Sequence, residues 1–264
     1  MADAQAIATA FVEARRAARA LLSYPGLAPG DLGSAYRIQD AAIELDGRSI
    51  KGWKVGRINP PLDGQLGANR LAGPIFAETV VSLNNSEVPV MPVFADGFAA
   101  AEAELLLHIA PGMADKRPVT DAETRLVIDE VRLGMEIASS PYPGINEDGP
   151  TVTASDFGNN HGLVMGAPLD DWQETDLCAI SVRTLIDGVL IGEATAATML
   201  DGPFGAVRFL LANLAARGID ISGGTWVSTG AITGVHQVVP GQAVQAQFGT
   251  HGSVQCTIGT AKVV

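Results

Sequence analysis

Two glutamates two positions apart, Glu102 and Glu104, lie inside an otherwise apolar run at residues 99–109. In a β-strand, residues i and i+2 project to the same face, so this run predicts two carboxylates side by side. Like charges that close repel each other unless a cation lies between them, and a hard divalent ion suits such a site. Glu136, in a second apolar segment, would complete an oxygen-rich site for Mg²⁺ or Mn²⁺. An exposed edge strand with two solvated glutamates stays open as the alternative.

A lysine in an apolar setting is the second candidate for chemistry. Lys54 lies between Trp53 and Val55, and this triplet has a glycine on each side. We expect a partly buried lysine whose pKa lies below its ordinary value, which would suit proton transfer. A lysine that extends to solvent from a strand end is the alternative. The four histidines are scattered and lack the spacing of a zinc site.

The chain that must position these residues changes character near residue 50. Before it, apolar residues recur at helical spacing; after it, short apolar runs alternate with Gly, Pro and Asn, which is typical of strands and turns. The sequence therefore predicts an α+β, mostly β fold, with an N-terminal helical cap at 1–50 and a β-rich catalytic domain at 51–264. The predicted helices are residues 2–24, 34–45, 121–131 and 203–217.

Two connections are predicted in more detail. Asp187-Gly188 separates two alternating segments and predicts a hairpin turn. Residues 139–162 show almost no apolar period, so we expect a long polar loop there. Because this loop begins beside Glu136, we expect it to cover the site and to move when a ligand binds.

Composition limits the classes of partner. The 264 residues are 47% hydrophobic, which is enough for a substantial core, and the formal net charge is −12. That charge disfavours nucleic acid and anionic membrane surfaces as partners, and it also disfavours an anionic substrate unless the site holds a cation of its own. The first residues do not have the pattern of a secretory signal, and no apolar run approaches the roughly 18 residues of a membrane span. We therefore expect a cytoplasmic protein.

Several motifs together resemble one enzyme family. AYRIQ at 35–39, followed by GWKVG at 52–56, resembles the "AYxIQ … GxKxG" segment of 2-oxopent-4-enoate hydratases and 4-oxalocrotonate decarboxylases. AEAELLL at 101–107 is similar to their Glu-x-Glu metal strand, and GMEIASS at 134–140 to the strand of their third metal glutamate. SDFGNNHGLVMGAP at 155–168 resembles their Asp/Asn-rich loop. Over residues 5–260 the order and spacing resemble this branch of the fumarylacetoacetate hydrolase superfamily.

The resemblance implies a mixed β-roll, a Mg²⁺ or Mn²⁺ ion held by the three glutamates, and a homo-oligomer. It implies a proton-transfer role for Lys54, and we expect substrate contacts from Trp53, Arg57, Ser140 and Thr229. The implied reaction is hydration of a 2-oxo or 2-hydroxydienoate acid through a metal-stabilised enolate, in the catabolism of aromatic-type compounds. Decarboxylation and carbon–carbon bond hydrolysis remain alternatives, because both use the same intermediate. A non-enzymatic protein with a structural metal is a further alternative.

The chain also departs from the family pattern. Where the family reads "EIxDSR", Pro141 follows the serines and the arginine is absent, and an acid that the family has near position 72 is missing. Leu71, Pro74 and Ile75 are apolar, so we expect a distal pocket for a bulkier or less charged substrate tail.

Overall fold

The protein, seen in a computed structural model, is described for residues 2–83 and 87–263. The helices are α1 (Ala2–Arg16), α2 (Leu32–Asp46), α3 (Leu62–Leu66), α4 (Asp121–Arg125), α5 (Pro150–Ser155) and α6 (Gly202–Ala216). The strands are β1 (Ile50–Arg57), β2 (Arg70–Phe76), β3 (Val80–Ser82), β4 (Val90–Val93), β5 (Phe98–Ile109), β6 (Ile128–Ser140), β7 (Asn160–Pro168), β8 (Ser181–Ile186), β9 (Val189–Thr195), β10 (Thr225–Ser228), β11 (His236–Gln237), β12 (Ala243–Phe248) and β13 (Ser253–Thr260).

The strands form two curled, mixed sheets. The larger has the order β2-β1-β10-β5-β6-β7-β3, with β11 paired to β5, and the smaller has the order β4-β13-β12-β8-β9. Three pairs are parallel, β1 with β10, β3 with β7 and β4 with β13, and the other pairs are antiparallel. Apolar side chains from both sheets form the main core, which also includes one face of α6. The predicted α+β, mostly β class is confirmed.

β5 and β6 are the longest strands, and they position the glutamates. They pair antiparallel, and Glu102 lies directly opposite Glu136. Because side chains alternate along a strand, Glu102 and Glu104 share one face of β5, while Ala103 and Leu105 face the main core. Burial of the apolar face therefore fixes which way the carboxylates project.

Two of the four predicted helices lie close to their predicted bounds, and the other two are shorter than expected. The helices predicted at 34–45 and 203–217 are confirmed as α2 and α6. α2 begins where the Asp31 side chain accepts a hydrogen bond from the Ser34 amide, as N-caps do. α1 ends at Arg16 instead of near residue 24, because the chain turns at Ala18 with a φ of 47°. That turn lets the Leu21 amide donate to the carbonyl of Pro141.

Two predicted segments are wrong. The helix predicted at 121–131 stops at Arg125, because the residues from Ile128 onward alternate between buried and exposed and pair with β5. This long-range pairing overrides the local helical pattern. The loop predicted at 139–162 is a loop only at 141–149, since β6, α5 and β7 occupy most of the rest.

The predicted hairpin between β8 and β9 is confirmed. Asp187 and Gly188 both have positive φ angles, 50° and 78°, which is the backbone of a two-residue turn matched to the twist of the strands. Within the described part of the chain, the structure contains no helix that combines the length and the apolar character needed to cross a membrane.

Candidate metal centre

Three carboxylates meet on the polar face of β5 and β6. Glu102, Glu104 and Glu136 each place an oxygen within 4.8 Å of the oxygens of the other two. Their exposed fractions are 6%, 0% and 0%, so the alternative of solvated glutamates on an edge strand is excluded. β5 is also an interior strand of its sheet, with β10 on one side and β6 on the other.

Hydrogen bonds fix some of the carboxylate oxygens and leave others without a partner. Ser228 Oγ and the Gly230 amide donate to Glu104 Oε2 at 2.5 and 2.9 Å, and Asn160 Nδ2 donates to Glu136 Oε1 at 2.9 Å. Glu104 Oε1 and Glu136 Oε2 are buried and have no hydrogen-bond partner among the residues that the structure describes. A buried oxygen without a partner is costly, and a divalent cation with oxygen ligands would satisfy both of them. The residues therefore fit a metal ion.

The electrostatics of the carboxylates agree with that arrangement. Burial raises the pKa of Glu102 to about 7, against the opposing effect of the Lys54 charge and with a smaller contribution from Glu136. Burial and the two neighbouring carboxylates raise the pKa of Glu104 well above its usual range. Without a cation, the cluster thus holds protons at pH values where an ordinary glutamate is ionised.

Lys54 is buried beside the carboxylates. It lies on β1 between Gly73 of β2 and Ser228 of β10, and its Nζ is 3.1 Å from Glu136 Oε1. Burial was predicted, but the expected low pKa is wrong. Burial alone would lower the pKa of Lys54, but the charges of the three glutamates outweigh burial and raise it above the ordinary value.

A left-handed turn at residues 157–159 brings two asparagines to the site. Phe157, Gly158 and Asn159 have φ angles of 54°, 61° and 58° in succession. Asn159 Oδ1 accepts a hydrogen bond from Lys54 Nζ at 3.3 Å, and the next residue, Asn160, contacts Glu136. The turn lies against Gly73, where an added Cβ would lie 2.0 Å from the Phe157 carbonyl oxygen. Residues 155–168 were recognised from the sequence as a motif, but no role was predicted for Asn159 or Asn160.

The N-terminal helix α1 forms an ion pair with the residue that precedes this turn, and the sequence did not predict this contact. Arg15 of α1 donates two hydrogen bonds to the carboxylate of Asp156, from Nε at 2.6 Å and from Nη2 at 2.9 Å. Arg15 also contacts the carbonyl oxygens of Ser139 and Asn160. Both members of the ion pair are buried, so the pair replaces water at the base of the turn.

A cavity of about 620 Å³ opens from Lys54 and Glu102. Of the four residues expected to contact substrate, Arg57 and Thr229 line the cavity. Trp53 is in the main core, because strand alternation places it on the face opposite Lys54. Ser140 lies outside the lining as well, since it is buried and donates to Asp156 Oδ2 at 2.6 Å.

The cavity has both apolar and charged lining residues, with Ile58, Leu62 and Val235 among the apolar ones. Leu71 lines it, but Pro74 and Ile75 do not, because they lie further along β2. Arg57 and Arg70, directly opposite each other on β1 and β2, both line the cavity instead.

Comparisons with known proteins give the same family as the motifs. No family model matches the chain. The chain is 28% identical to a 4-oxalocrotonate decarboxylase of Pseudomonas putida over 127 residues, so the match spans about half of each protein, 48% in both cases. It is 23% identical to a 2-oxo-hept-4-ene-1,7-dioate hydratase of Escherichia coli over 247 residues, which are 89% of this chain and 88% of the relative.

Solved structures share the fold. The decarboxylase of Pseudomonas putida G7, complexed with magnesium and adipate, aligns over 97% of both chains with a TM-score of 0.76 and 22% identity. A fumarylpyruvate hydrolase of Pseudomonas aeruginosa, in complex with Mn²⁺ and pyruvate, aligns over 80% of this chain and 89% of its own, with a TM-score of 0.58 and 13% identity. The chain is thus similar in sequence to a decarboxylase and a hydratase of the branch that its motifs resemble, and it shares the fold of the solved structures.

The motifs behind this relationship have structural roles near the site. Tyr36 Oη accepts a hydrogen bond from the Ala72 amide, and Gln39 Nε2 donates to the carbonyls of Ala72 and Ala154. The "AYxIQ" motif therefore ties α2 to β2 and to α5, the elements on either side of the left-handed turn. Gly52 lets β1 approach β10 closely, because an added Cβ would lie 2.7 Å from the Trp226 carbonyl oxygen.

Proposed function

We propose that this protein is a Mg²⁺- or Mn²⁺-dependent enzyme that acts on a 2-oxo or 2-hydroxydienoate carboxylic acid. The observation that carries the proposal is the buried triad of glutamates, with two oxygens that lack partners, at the end of a cavity that also contains a buried lysine. The related structures contain Mg²⁺ or Mn²⁺ with a carboxylic acid in the same complex, which supports the choice of metal and of substrate class.

Each residue of the site has a separate task in this proposal. Glu102, Glu104 and Glu136 hold the metal, with Ser228 and Asn160 orienting their carboxylates. When bound, the cation supplies the positive charge that holds a 2-oxo carboxylate and stabilises negative charge at the 2-oxygen. Without the cation, the single positive charge of Lys54 faces three carboxylates at this end of the cavity.

Lys54 holds and moves the proton. Its Nζ lies beside Glu136 and at the wall of the cavity, within reach of a substrate bound at the carboxylates. The three carboxylate charges keep its pKa high. Neutralisation of those charges by a cation would lower that pKa, because burial then becomes the dominant effect. The lysine would thus become able to exchange a proton with the substrate only in the loaded site.

Hydration is the reaction that we place first, with decarboxylation or carbon–carbon bond hydrolysis as the alternatives. All three pass through negative charge delocalised onto the 2-oxygen, which in decarboxylation and carbon–carbon hydrolysis arises when the bond is cleaved. The metal and the lysine would therefore serve each reaction equally. The names of the two relatives include both a hydratase and a decarboxylase. A role in the catabolism of aromatic-type compounds, a cytoplasmic location and a homo-oligomeric state belong to the same proposal.

The substrate carries a second carboxylate in this proposal. Arg57 is exposed to the cavity and has no ion-pair partner within the described part of the chain, whereas Arg70 beside it is paired with Asp201. The Cα atoms of Lys54 and Arg57 are three residues apart on β1, a span of about 10 Å. Their side chains leave opposite faces of the strand, but both residues line the cavity, because Arg57 is the last residue of β1. A dicarboxylic acid of six or seven carbons has a comparable length, and one of the relatives acts on a 1,7-dioate by its name. The arginines thus favour a charged tail over the less charged one expected from the sequence.

The test compares two substrates that differ in whether the tail carries a second carboxylate. Metal-stripped protein is supplied with Mg²⁺ or Mn²⁺ and given 2-hydroxypenta-2,4-dienoate or 2-hydroxyhepta-2,4-diene-1,7-dioate, and loss of dienol absorbance is followed. We expect activity only with metal and a lower KM for the dioate. In Arg57→Gln the KM of the dioate should rise about 10- to 100-fold, as for a lost charged hydrogen bond, with little change for the pentadienoate.

Arg19→Gln, which removes an exposed arginine of the N-terminal segment outside the cavity lining, is the charge-matched control. Full activity in metal-free protein, or none with any 2-oxo acid in the presence of metal, would overturn the assignment as an enzyme of this class. An equal KM change for both substrates in Arg57→Gln would remove only the dicarboxylate part.

A further inference from the structure

A chain of hydrogen bonds leads from the buried lysine to the loop at 141–149. Lys54 Nζ donates to Asn159 Oδ1 at 3.3 Å, and Asn159 Nδ2 donates to Asn146 Oδ1 at 2.9 Å. The hydroxyl of Thr153, on α5, has the Ile145 carbonyl as its nearest acceptor at 2.8 Å and also lies 3.3 Å from the same oxygen of Asn146. Asn159 is 3% exposed, whereas Asn146 is an exposed residue of the loop and lines the cavity.

The charge of Lys54 fixes the direction of the whole chain. An ammonium group only donates, so the Asn159 amide must turn its oxygen toward Lys54. Its Nδ2 then points away and requires an acceptor, because a buried donor without a partner is costly. Asn146 Oδ1 is that acceptor. A flipped Asn159 would place two donors against each other at the lysine and would leave two acceptors facing each other at Asn146.

The backbone at Asn159 is adapted to this task. A φ of 58° is left-handed, a region that asparagine tolerates better than most residues and that glycine adopts without strain. Glycine would therefore relax the backbone but would leave Lys54 with one hydrogen-bond partner fewer. The presence of a side chain at this strained position indicates that the amide itself has a function.

We propose that Asn159 is a positioning residue that holds the ammonium of Lys54 and, through Asn146, links it to the loop at the mouth of the cavity. The proposal rests on the proposed function, since it concerns the proton-transfer group of that reaction. The position of the loop and the direction of the lysine are then coupled, and the coupling acts both ways. A substrate that draws the loop inward also aligns Lys54, whereas an open loop releases it.

Two readouts test this link. The first is the Mg²⁺-dependent exchange of the methyl protons of pyruvate into D₂O, followed by NMR as a function of pyruvate concentration. The second is backbone hydrogen exchange of residues 141–149, measured by mass spectrometry on metal-free protein. The variants are Asn159→Gly, Asn146→Ala and Asn146→Asp, the last of which keeps an acceptor oxygen for Asn159.

Asp148→Asn is the matched control. Asp148 is exposed on the same loop and accepts a hydrogen bond from the Tyr142 hydroxyl. Asparagine offers that hydroxyl a neutral acceptor in place of a charged one, so the variant weakens a bond within the loop without touching the chain to Lys54.

We expect Asn159→Gly to lower the maximal exchange rate of pyruvate about tenfold and Asn146→Ala about fivefold, each with little change in apparent KM. Asn146→Asp should keep the maximal rate and raise the KM, because it adds negative charge beside an anionic substrate. In metal-free protein, Asn159→Gly and Lys54→Met should both speed hydrogen exchange in the loop, since either change breaks the chain.

An unchanged maximal rate in Asn146→Ala, or an equal loss in Asp148→Asn, would overturn the proposal. If wild-type protein fails to exchange the protons of pyruvate, the proposed function fails instead, and the loop readout still decides whether the link exists.

Discussion

The carboxylate cluster makes the stability of the metal-free protein depend on pH in an unusual direction. Glutamates that form ion pairs usually stabilise a fold as the pH rises. Here burial raises the pKa of Glu102 from 4.5 to about 7. Between pH 4.5 and about pH 7 the folded state therefore keeps a proton that the unfolded chain has already lost. At higher pH, Glu102 is ionised inside the fold, and its burial then lowers the free energy of unfolding. The stability contributed by protonated Glu102 is present below pH 4.5 and is lost as the pH rises through 7.

The size of this effect follows from the pKa difference of Glu102. At 1.36 kcal/mol per pKa unit, the difference between 4.5 and about 7 corresponds to about 3 kcal/mol, most of it lost between pH 5 and pH 8. Glu104 adds to the loss in the same direction, because its pKa is raised as well. His161 acts in the opposite direction, since burial and the charges of Arg15 and Arg48 lower its pKa to about 3. Its contribution is lost as the pH falls below 6.5, so the wild-type curve alone would mix the two effects.

The effects of Glu102 and His161 can be separated by comparing two proteins that differ only at Glu102. The free energy of unfolding of EDTA-treated wild type and Glu102→Gln is measured by urea denaturation between pH 5 and pH 8. The glutamine stays neutral, so the difference between the two proteins reports the titration of Glu102 together with its effect on the pKa of Glu104. We expect the variant to gain about 2–3 kcal/mol relative to wild type over this range.

Added Mn²⁺ provides the complementary measurement. A metal must displace the protons, so its affinity for the wild-type site should fall up to tenfold for each pH unit below 7 and each proton displaced. The increase in melting temperature caused by 1 mM Mn²⁺ should therefore be larger at pH 8 than at pH 5.5. Parallel pH profiles for wild type and Glu102→Gln, or equal stabilisation by Mn²⁺ at both pH values, would refute the reasoning.

Three other predictions concern residues around the cluster. Lys54→Met should lower kcat about 100-fold or more, with the Mn²⁺ affinity measured by calorimetry little changed. Arg15→Met should lower the free energy of unfolding by about 3–5 kcal/mol, because it leaves a buried carboxylate without its cation, whereas the exposed neighbour Arg16→Met should cost under about 1 kcal/mol. Gly73→Ala should destabilise by about 1–3 kcal/mol and lower kcat, since its Cβ meets the backbone of the left-handed turn, whereas Gly64→Ala, with nothing within 4 Å, should be close to neutral.

The glutamate pair was predictable because its cause is local. Strand alternation places Glu102 and Glu104 on one face whatever the strand pairs with, and the apolar residues on the other face, such as Ala103 and Leu105, pack in the main core. The position of Glu136 directly opposite Glu102 has a different origin. It depends on the register between β5 and β6, which neither strand specifies alone.

For Lys54 too, the locally determined property was predictable from the sequence and the property that depends on other strands was not. Its apolar neighbours predicted burial, and burial alone would lower the pKa of a lysine. The opposite shift arises from three carboxylates that come from other strands. Trp53 was expected to contact substrate as the neighbour of Lys54 in sequence, but neighbours on a strand point in opposite directions, and it packs in the core.

The N-terminal helices bear on the proposed division of the chain at residue 50. Arg15 of α1 donates a hydrogen bond to Asp156, and Gln39 of α2 donates to the carbonyls of Ala72 and Ala154. Both helices therefore contact the segments that lead into the left-handed turn and pack against it. The turn has three residues with positive φ in succession, two of which are not glycine, and such a conformation persists only where its surroundings fix it. Because this turn presents the Asn159 amide to Lys54, we expect a protein without the helices to keep the three glutamates and the lysine on their strands but to lose this hydrogen bond. We infer that residues 1–50 act as part of the catalytic unit and do not form a separable cap.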